Sequence, residues 1–86
     1  MAFDITVAEK IADQVLAELH ELPFAQLEAL LDDNKNTVVI GSDGVRYNVV
    51  TYALPDLDDS VRVVVAVDDG GRSAFKPLVR DFIVAP

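Results

Sequence analysis

The residues of this sequence whose types could support chemistry are one histidine, His20, and three adjacent aspartate pairs. These pairs are Asp32/Asp33, Asp58/Asp59 and Asp68/Asp69. Acid–base catalysis needs two carboxylates in different environments across a cleft. The pairs instead fall in polar turn and helix-end segments, where aspartate commonly binds the local backbone. His20 has no nucleophile or orienting acid at a recognisable spacing. We therefore assign no catalytic residue.

Metal and cofactor motifs do not emerge from the sequence either. The chain has no cysteine and one histidine, which excludes the usual structural zinc site. Residues 56–60 begin like a calcium loop, but Val61 and Val67 occupy the positions where that loop needs glycine and glutamate. The glycines of residues 41–44 and 70–71 are not followed by the Lys-Ser/Thr of a phosphate-binding loop. We assign no cofactor and no metal ligand.

The net charge of −8 is concentrated in the first part of the chain. Residues 1–34 contain eight acidic residues and one basic residue, whereas residues 35–86 contain seven acidic and six basic residues. Nucleic acids and anionic membranes are bound by basic patches, so the pattern predicts neither as a partner. The charge is compatible with a basic protein partner, as for an antitoxin, immunity protein or secretion chaperone. It is also compatible with a solvated acidic helix face.

Apolar spacing predicts two helices at the start of the chain. In the first, apolar residues recur every three or four positions: Ile11, Val15, Leu19 and Leu22. Thr6 and Glu9 fit a capping box at its start. Pro23 ends this helix and can open a second, short helix, which the polar run 32–36 stops.

Alternating β-branched residues then predict strands at 37–40, 45–54 and 61–68, with Asp43-Gly44 as a hairpin turn. The valines at alternate positions of the third strand indicate its core face. Residues 73–76 could form an edge strand, and residues 78–85 a helical turn with an extended tail. The predicted fold is one α+β domain, residues 1–86, with two N-terminal helices packed on a three- to four-stranded antiparallel β-meander in two layers.

One face of this sheet combines tyrosine, aliphatic residues and arginine, a composition close to that of protein interfaces. Its candidate interface residues are Arg46, Val50, Tyr52, Leu54, Arg62 and Val64. Hydrophobic residues make up 51% of the chain, and a small domain has little interior in which to bury them. Two alternatives stay open. A second subunit could cover the face, giving a homodimer, or the C-terminal segment could fold back over it through Phe75, Leu78, Phe82 and Ile83.

Residues 63–78 and 81–86, with Leu22-Pro23-Phe24 and residues 30–33, resemble a group of short uncharacterised bacterial proteins. The resemblance implies no activity, cofactor or site residue. The acidic N-terminus and the lack of a long apolar run predict a soluble, cytoplasmic protein. We expect a non-enzymatic interaction module that self-associates. The alternatives are an acidic protein that binds a basic partner and, less in keeping with the residues, an enzyme.

Overall fold

The computed structural model describes residues 4–71 and 77–86, in which helical segments precede four strands. The helices are α1 (Ile5–His20) and α2 (Phe24–Glu28), and a 3-10 turn (Ala29–Leu31) follows α2 directly. The strands are β1 (Lys35–Ile40), β2 (Arg46–Pro55), β3 (Val61–Asp68) and β4 (Leu78–Val84), with a 3-10 turn (Leu57–Asp59) between β2 and β3. They form one antiparallel sheet in the order β1-β2-β3-β4, so the predicted α+β fold is confirmed.

The core lies between the helical segments and one face of the sheet. β3 supplies every second residue to it, and these four valines are at most 2% exposed: Val61, Val63, Val65 and Val67. α1 packs across β3 and β4, and the 3-10 turn after α2 packs on β2. The buried faces of these segments provide the opposing apolar residues: Ala8, Ile11, Ala12, Leu19, Leu27 and Leu30. The prediction of the core face of β3 is therefore correct.

Helix α1 is capped by Asp4 and not by Thr6. The Asp4 carboxylate accepts hydrogen bonds from the backbone N–H groups of Thr6 (3.0 Å) and Val7 (3.3 Å), which is the usual N-cap arrangement. The predicted capping box is wrong because α1 begins at Ile5, which places Thr6 inside the helix. Glu9 has a different partner. Its carboxylate pairs with the Arg80 guanidinium of β4 at 3.0 Å, which ties the start of α1 to the last strand.

The β1–β2 hairpin is fixed by the buried side chain of Tyr47. The Tyr47 hydroxyl donates a 2.8 Å hydrogen bond to one Asp43 carboxylate oxygen, and the other oxygen accepts the backbone N–H of Val45 at 3.0 Å. Burial, followed by the bond to Asp43, raises the pKa of Tyr47 to about 12. Gly41 packs against this ring, since a Cβ there would lie 2.8 Å from Tyr47 Cε1 and 2.7 Å from Val7 Cγ1.

The C-terminal residues add an outer strand to the sheet. Residues 78–84 pair with β3 from Val67↔Leu78 to Val61↔Val84, so the predicted helical turn is wrong. Because residues 78–84 form this outer strand, they do not fold over the face of the sheet that carries Tyr52 and Arg62. Leu78 and Phe82 instead pack on the core beneath α1. The predicted edge strand at 73–76, with Phe75, lies outside the described residues.

Candidate functional site

The face of the sheet that points away from the helices is the main candidate site, and we call it the open face. It consists of every second residue of each strand, beginning with Asn36 in β1, Arg46 in β2, Arg62 in β3 and Val79 in β4. No other element among residues 4–71 and 77–86 packs against it. The described residues thus leave the open face as an uncovered surface about four strands wide.

All six residues that the sequence singled out lie on the open face. Cross-strand pairing places Leu54 beside Arg62 and Tyr52 beside Val64, while Arg46 and Val50 continue along β2. Val64 is only 3% exposed although no helix covers it. Val64 itself therefore offers almost no surface to a partner.

The open face also concentrates the exposed apolar side chains of the protein. Seven large apolar residues are exposed in the described part of the chain, and five of them lie here: Val38, Ile40, Leu54, Val79 and Ile83. Their exposed fractions run from 46% for Val79 to 64% for Ile40. Contiguous exposed apolar surface of this kind is typical of interaction sites.

Sequence reasoning missed four of these five residues because they belong to the two outer strands. Val38 and Ile40 lie in β1, and Val79 and Ile83 lie in β4. The alternation of side chains in β1 was a usable signal, since Val39 faces the core and its two neighbours must face away. In β4 the strand itself was not assigned, so no face could be predicted for its residues.

The charges of the open face balance each other. Arg62 donates a 2.7 Å hydrogen bond to Asp81 on β4 and lies 3.6 Å from the Asp56 carboxylate. The bond to Asp81 raises the pKa of Arg62. Asp68 accepts a 3.1 Å hydrogen bond from Asn48. With Arg46, the open face holds two arginines and two aspartates, so it carries no net charge.

A second candidate site lies on the helical side, between α1 and the first two strands. It is a groove of about 380 Å³ whose floor includes Val39, Val49 and Thr51 and whose wall includes Val15 and Leu22. Polar residues stand at its rim: Gln14, Glu18, Lys35 and Thr37. The volume lies within the range of about 300–1,000 Å³ that ligand pockets usually have.

The polar residues considered for chemistry have structural contacts instead. The His20 ring stacks on Phe82 of β4, with ring centroids 3.9 Å apart and an interplanar angle of 24°. The carboxylates of Asp68 and Asp69 accept the backbone N–H groups of Gly70 and Gly71 at 2.7 Å and 3.0 Å. His20 therefore contributes to an aromatic stack, and Asp68 and Asp69 stabilise the turn that follows β3.

The other acidic pairs also lie in turn segments. Asp58 and Asp59 have positive φ angles of 55° and 62° in the turn before β3, where aspartate is among the better-tolerated residues. Asp32 and Asp33 are exposed between the first 3-10 turn and β1. Within the described residues no three His, Asp or Glu side chains converge as a metal site would require, and no helix there is long and apolar enough to cross a membrane.

Comparison of the chain with protein-family models, with curated proteins and with solved structures finds no match. The function must therefore be argued from the two surfaces described above.

Proposed function

We propose that this protein is a non-enzymatic interaction module that self-associates, with the open face as its contact surface. The observation that carries the proposal is that, of the seven large apolar side chains exposed among residues 4–71 and 77–86, five lie on this one face. Burying them against a second copy removes apolar surface from water, which is the main driving force of association. Of the candidate interface residues, Arg46, Val50, Tyr52, Leu54 and Arg62 contribute contact surface, and the buried Val64 supports them from beneath.

The distribution of charge supports a second copy as the partner. Two-fold dimers bring the same patch of each subunit together, so a strongly charged patch would repel itself. The open face has no net charge, whereas residues 4–34, which form the helical side, carry eight acidic residues and one basic residue. Stacking two open faces keeps the acidic helices on the outside. The result would be a sandwich with sheets about 10 Å apart.

The size of the open face predicts a weak dimer. Four strands about 4.8 Å apart, each about seven residues long at 3.4 Å per residue, give a flat footprint of roughly 450 Å². Stable interfaces bury at least about 600 Å² per partner. Since side chains roughen the flat area, the dimer falls near this lower limit. Association should therefore depend on concentration.

Light scattering over a series of protein concentrations tests the proposal. We expect the mass to rise from 9.3 kDa toward twice that value. Leu54→Asp, which places a charge on the open face, should keep the protein monomeric. Leu57→Asp is the matched control, because Leu57 is 81% exposed and lies in the turn before β3. A wild-type protein that stays monomeric up to its solubility limit, or equal dimerisation of both variants, would refute the proposal.

We also propose that the protein acts in the cytoplasm. The chain has no cysteine, so nothing in its fold depends on an oxidising compartment. A fractionation experiment with the expressed protein would check this location directly.

A further inference from the structure

The helical layer covers only half of the sheet. α1 packs against β3 and β4, and the short 3-10 turn after α2 covers one part of β2. On β1 the residues that point toward the helical side are therefore poorly covered. Lys35 and Thr37 are exposed, and Val39 is only partly buried. The groove of about 380 Å³ occupies this space.

The walls of the groove suit apolar side chains. Ile11, Val15 and Leu22 form one side, and Val39 and Val49 form part of the floor. A cavity of about 150 Å³ lined by aliphatic side chains accommodates a benzene molecule. The groove thus has room for two or three leucine-sized side chains, which is what one face of a short helix presents.

The part of the sheet that the helical segments leave uncovered is wide enough for one additional helix. Neighbouring strands lie about 4.8 Å apart, so two strands span about 10 Å, and packed helices lie 8–10 Å apart. A helix placed beside α1 would therefore lie over β1 and β2, as α1 lies over β3 and β4. β1 has six residues and is about 20 Å long. A helix of about 14 residues has the same length.

We propose that this groove binds an amphipathic helix of a partner protein, with basic residues flanking the apolar stripe of that helix. The charge of the rim supports a basic partner. Glu18 lines the groove, and Asp33 lines an adjoining cavity of about 220 Å³. Lys35 is the one basic residue among the lining residues of both cavities, so acidic groups outnumber basic ones there by two to one. Within the described part of the chain neither carboxylate forms an ion pair.

A second copy of the chain fits this groove poorly. The long helix α1 already buries its apolar stripe in the core, and its charged residues outside that stripe are three acids and one lysine. Docking α1 of another copy would expose that core and bring acidic side chains toward Glu18. The groove is therefore a heterologous site, separate from self-association through the open face.

A titration followed by the amide NMR spectrum of the isotope-labelled protein tests the proposal. The probe is a synthetic peptide of about 14 residues with leucine along one helical face and lysine elsewhere. The control peptide has the same composition with the leucines distributed around the helix. We expect the first peptide to shift the amides of Leu22, Val39 and Thr51, and to bind at least about tenfold more tightly than the control.

Two variants on the same strand separate this site from the open face. Thr37→Arg places a long basic side chain at the groove and should weaken binding of the leucine–lysine peptide at least about tenfold. Val38→Arg has the same chemistry on the opposite face of β1. It should leave peptide binding unchanged and weaken self-association, so the two proposals can fail independently.

Four results would overturn the inference. The first is equal binding of the two peptides, which would indicate charge attraction alone. The second is a set of shifts confined to the outward backbone of β1, at Asn36, Val38 and Ile40, because that pattern belongs to an extended peptide added to the sheet edge. The third is shifts on the open face. The fourth is no binding of the leucine–lysine peptide up to about millimolar concentration.

Discussion

The buried hydroxyl of Tyr47 gives the sharpest test of the structure, because its removal affects stability in two distinguishable ways. The ring is fully buried, and the hydroxyl donates a 2.8 Å hydrogen bond to Asp43. Tyr47→Phe removes this bond and leaves the ring in place. Hydrogen bonds to charged groups contribute about 1.5–3 kcal/mol, and because Asp43 is exposed to water we expect a loss of about 1–2 kcal/mol near neutral pH. The melting temperature should fall by several degrees.

The second effect appears at alkaline pH. The folded protein raises the pKa of Tyr47 from 10.0 to about 12, mainly by burial and secondly through the bond to Asp43. The folded state therefore holds the proton more tightly than the unfolded state. The contribution of this pKa difference to the free energy of unfolding is fully present below pH 10 and is lost as the pH rises through about 12. At 1.36 kcal/mol per pH unit, the loss amounts to roughly 2–3 kcal/mol.

Denaturant unfolding of the wild type and of Tyr47→Phe across this pH range measures both effects. The wild type should lose its advantage over the variant between pH 10 and 12, because the phenylalanine has no proton to release. Asp43→Asn should remove part of the alkaline effect and keep the part due to burial. If the wild type and Tyr47→Phe lost stability in parallel across this range, the hydroxyl would not be buried as described.

Two further pairs of substitutions test the start of α1 and the packing of the hairpin by thermal unfolding. Asp4→Ala removes the N-cap and should cost about 1 kcal/mol, whereas Thr6→Ala should change stability by less than about 0.5 kcal/mol; the reverse order would restore the capping box. Gly41→Ala places a methyl group 2.7 Å from Val7 Cγ1 and should cost about 2–3 kcal/mol, the upper part of the range for overpacking. At Gly44 an added Cβ meets nothing within 4 Å, and only the φ of 79° is unfavourable. Gly44→Ala should therefore cost about 1 kcal/mol. An equal cost at both glycines would contradict the packing described for Gly41.

The strands were predictable wherever one face is continuously apolar. Val61, Val63, Val65 and Val67 alternate without interruption, so the bounds of β3 and its core face both follow from the sequence. The open-face residues of β2 followed from the same alternation, as Tyr52 and Leu54 illustrate. In both strands, local side-chain periodicity and tertiary burial agree, which is why sequence reasoning succeeds there.

The errors at α1 and β4 have separate physical causes. Arg80 occupies a position in β4 whose neighbours Leu78 and Phe82 face the core, so it interrupts the apolar alternation that would have indicated a strand. Its charge is tolerated there because the side chain is partly exposed and pairs with Glu9 at 3.0 Å. That partner lies 71 positions away, and no local motif contains the information. The error at α1 is local, because Asp4 lies two residues before Thr6, is itself a favoured N-cap residue and takes that position.

The two candidate surfaces follow from the proportions of the fold. In the described part of the chain one helix, α1, is 16 residues long, and α2 has only five residues. One long helix covers about two strands of a sheet, but this sheet has four strands. The helical layer therefore leaves a groove over β1 and β2, and no described element forms a layer on the opposite face. These two surfaces leave exposed apolar side chains within the described residues, as the 51% hydrophobic content predicts for a domain of these proportions. Because the open face is neutral and the groove is next to acidic side chains, the two surfaces should select different partners.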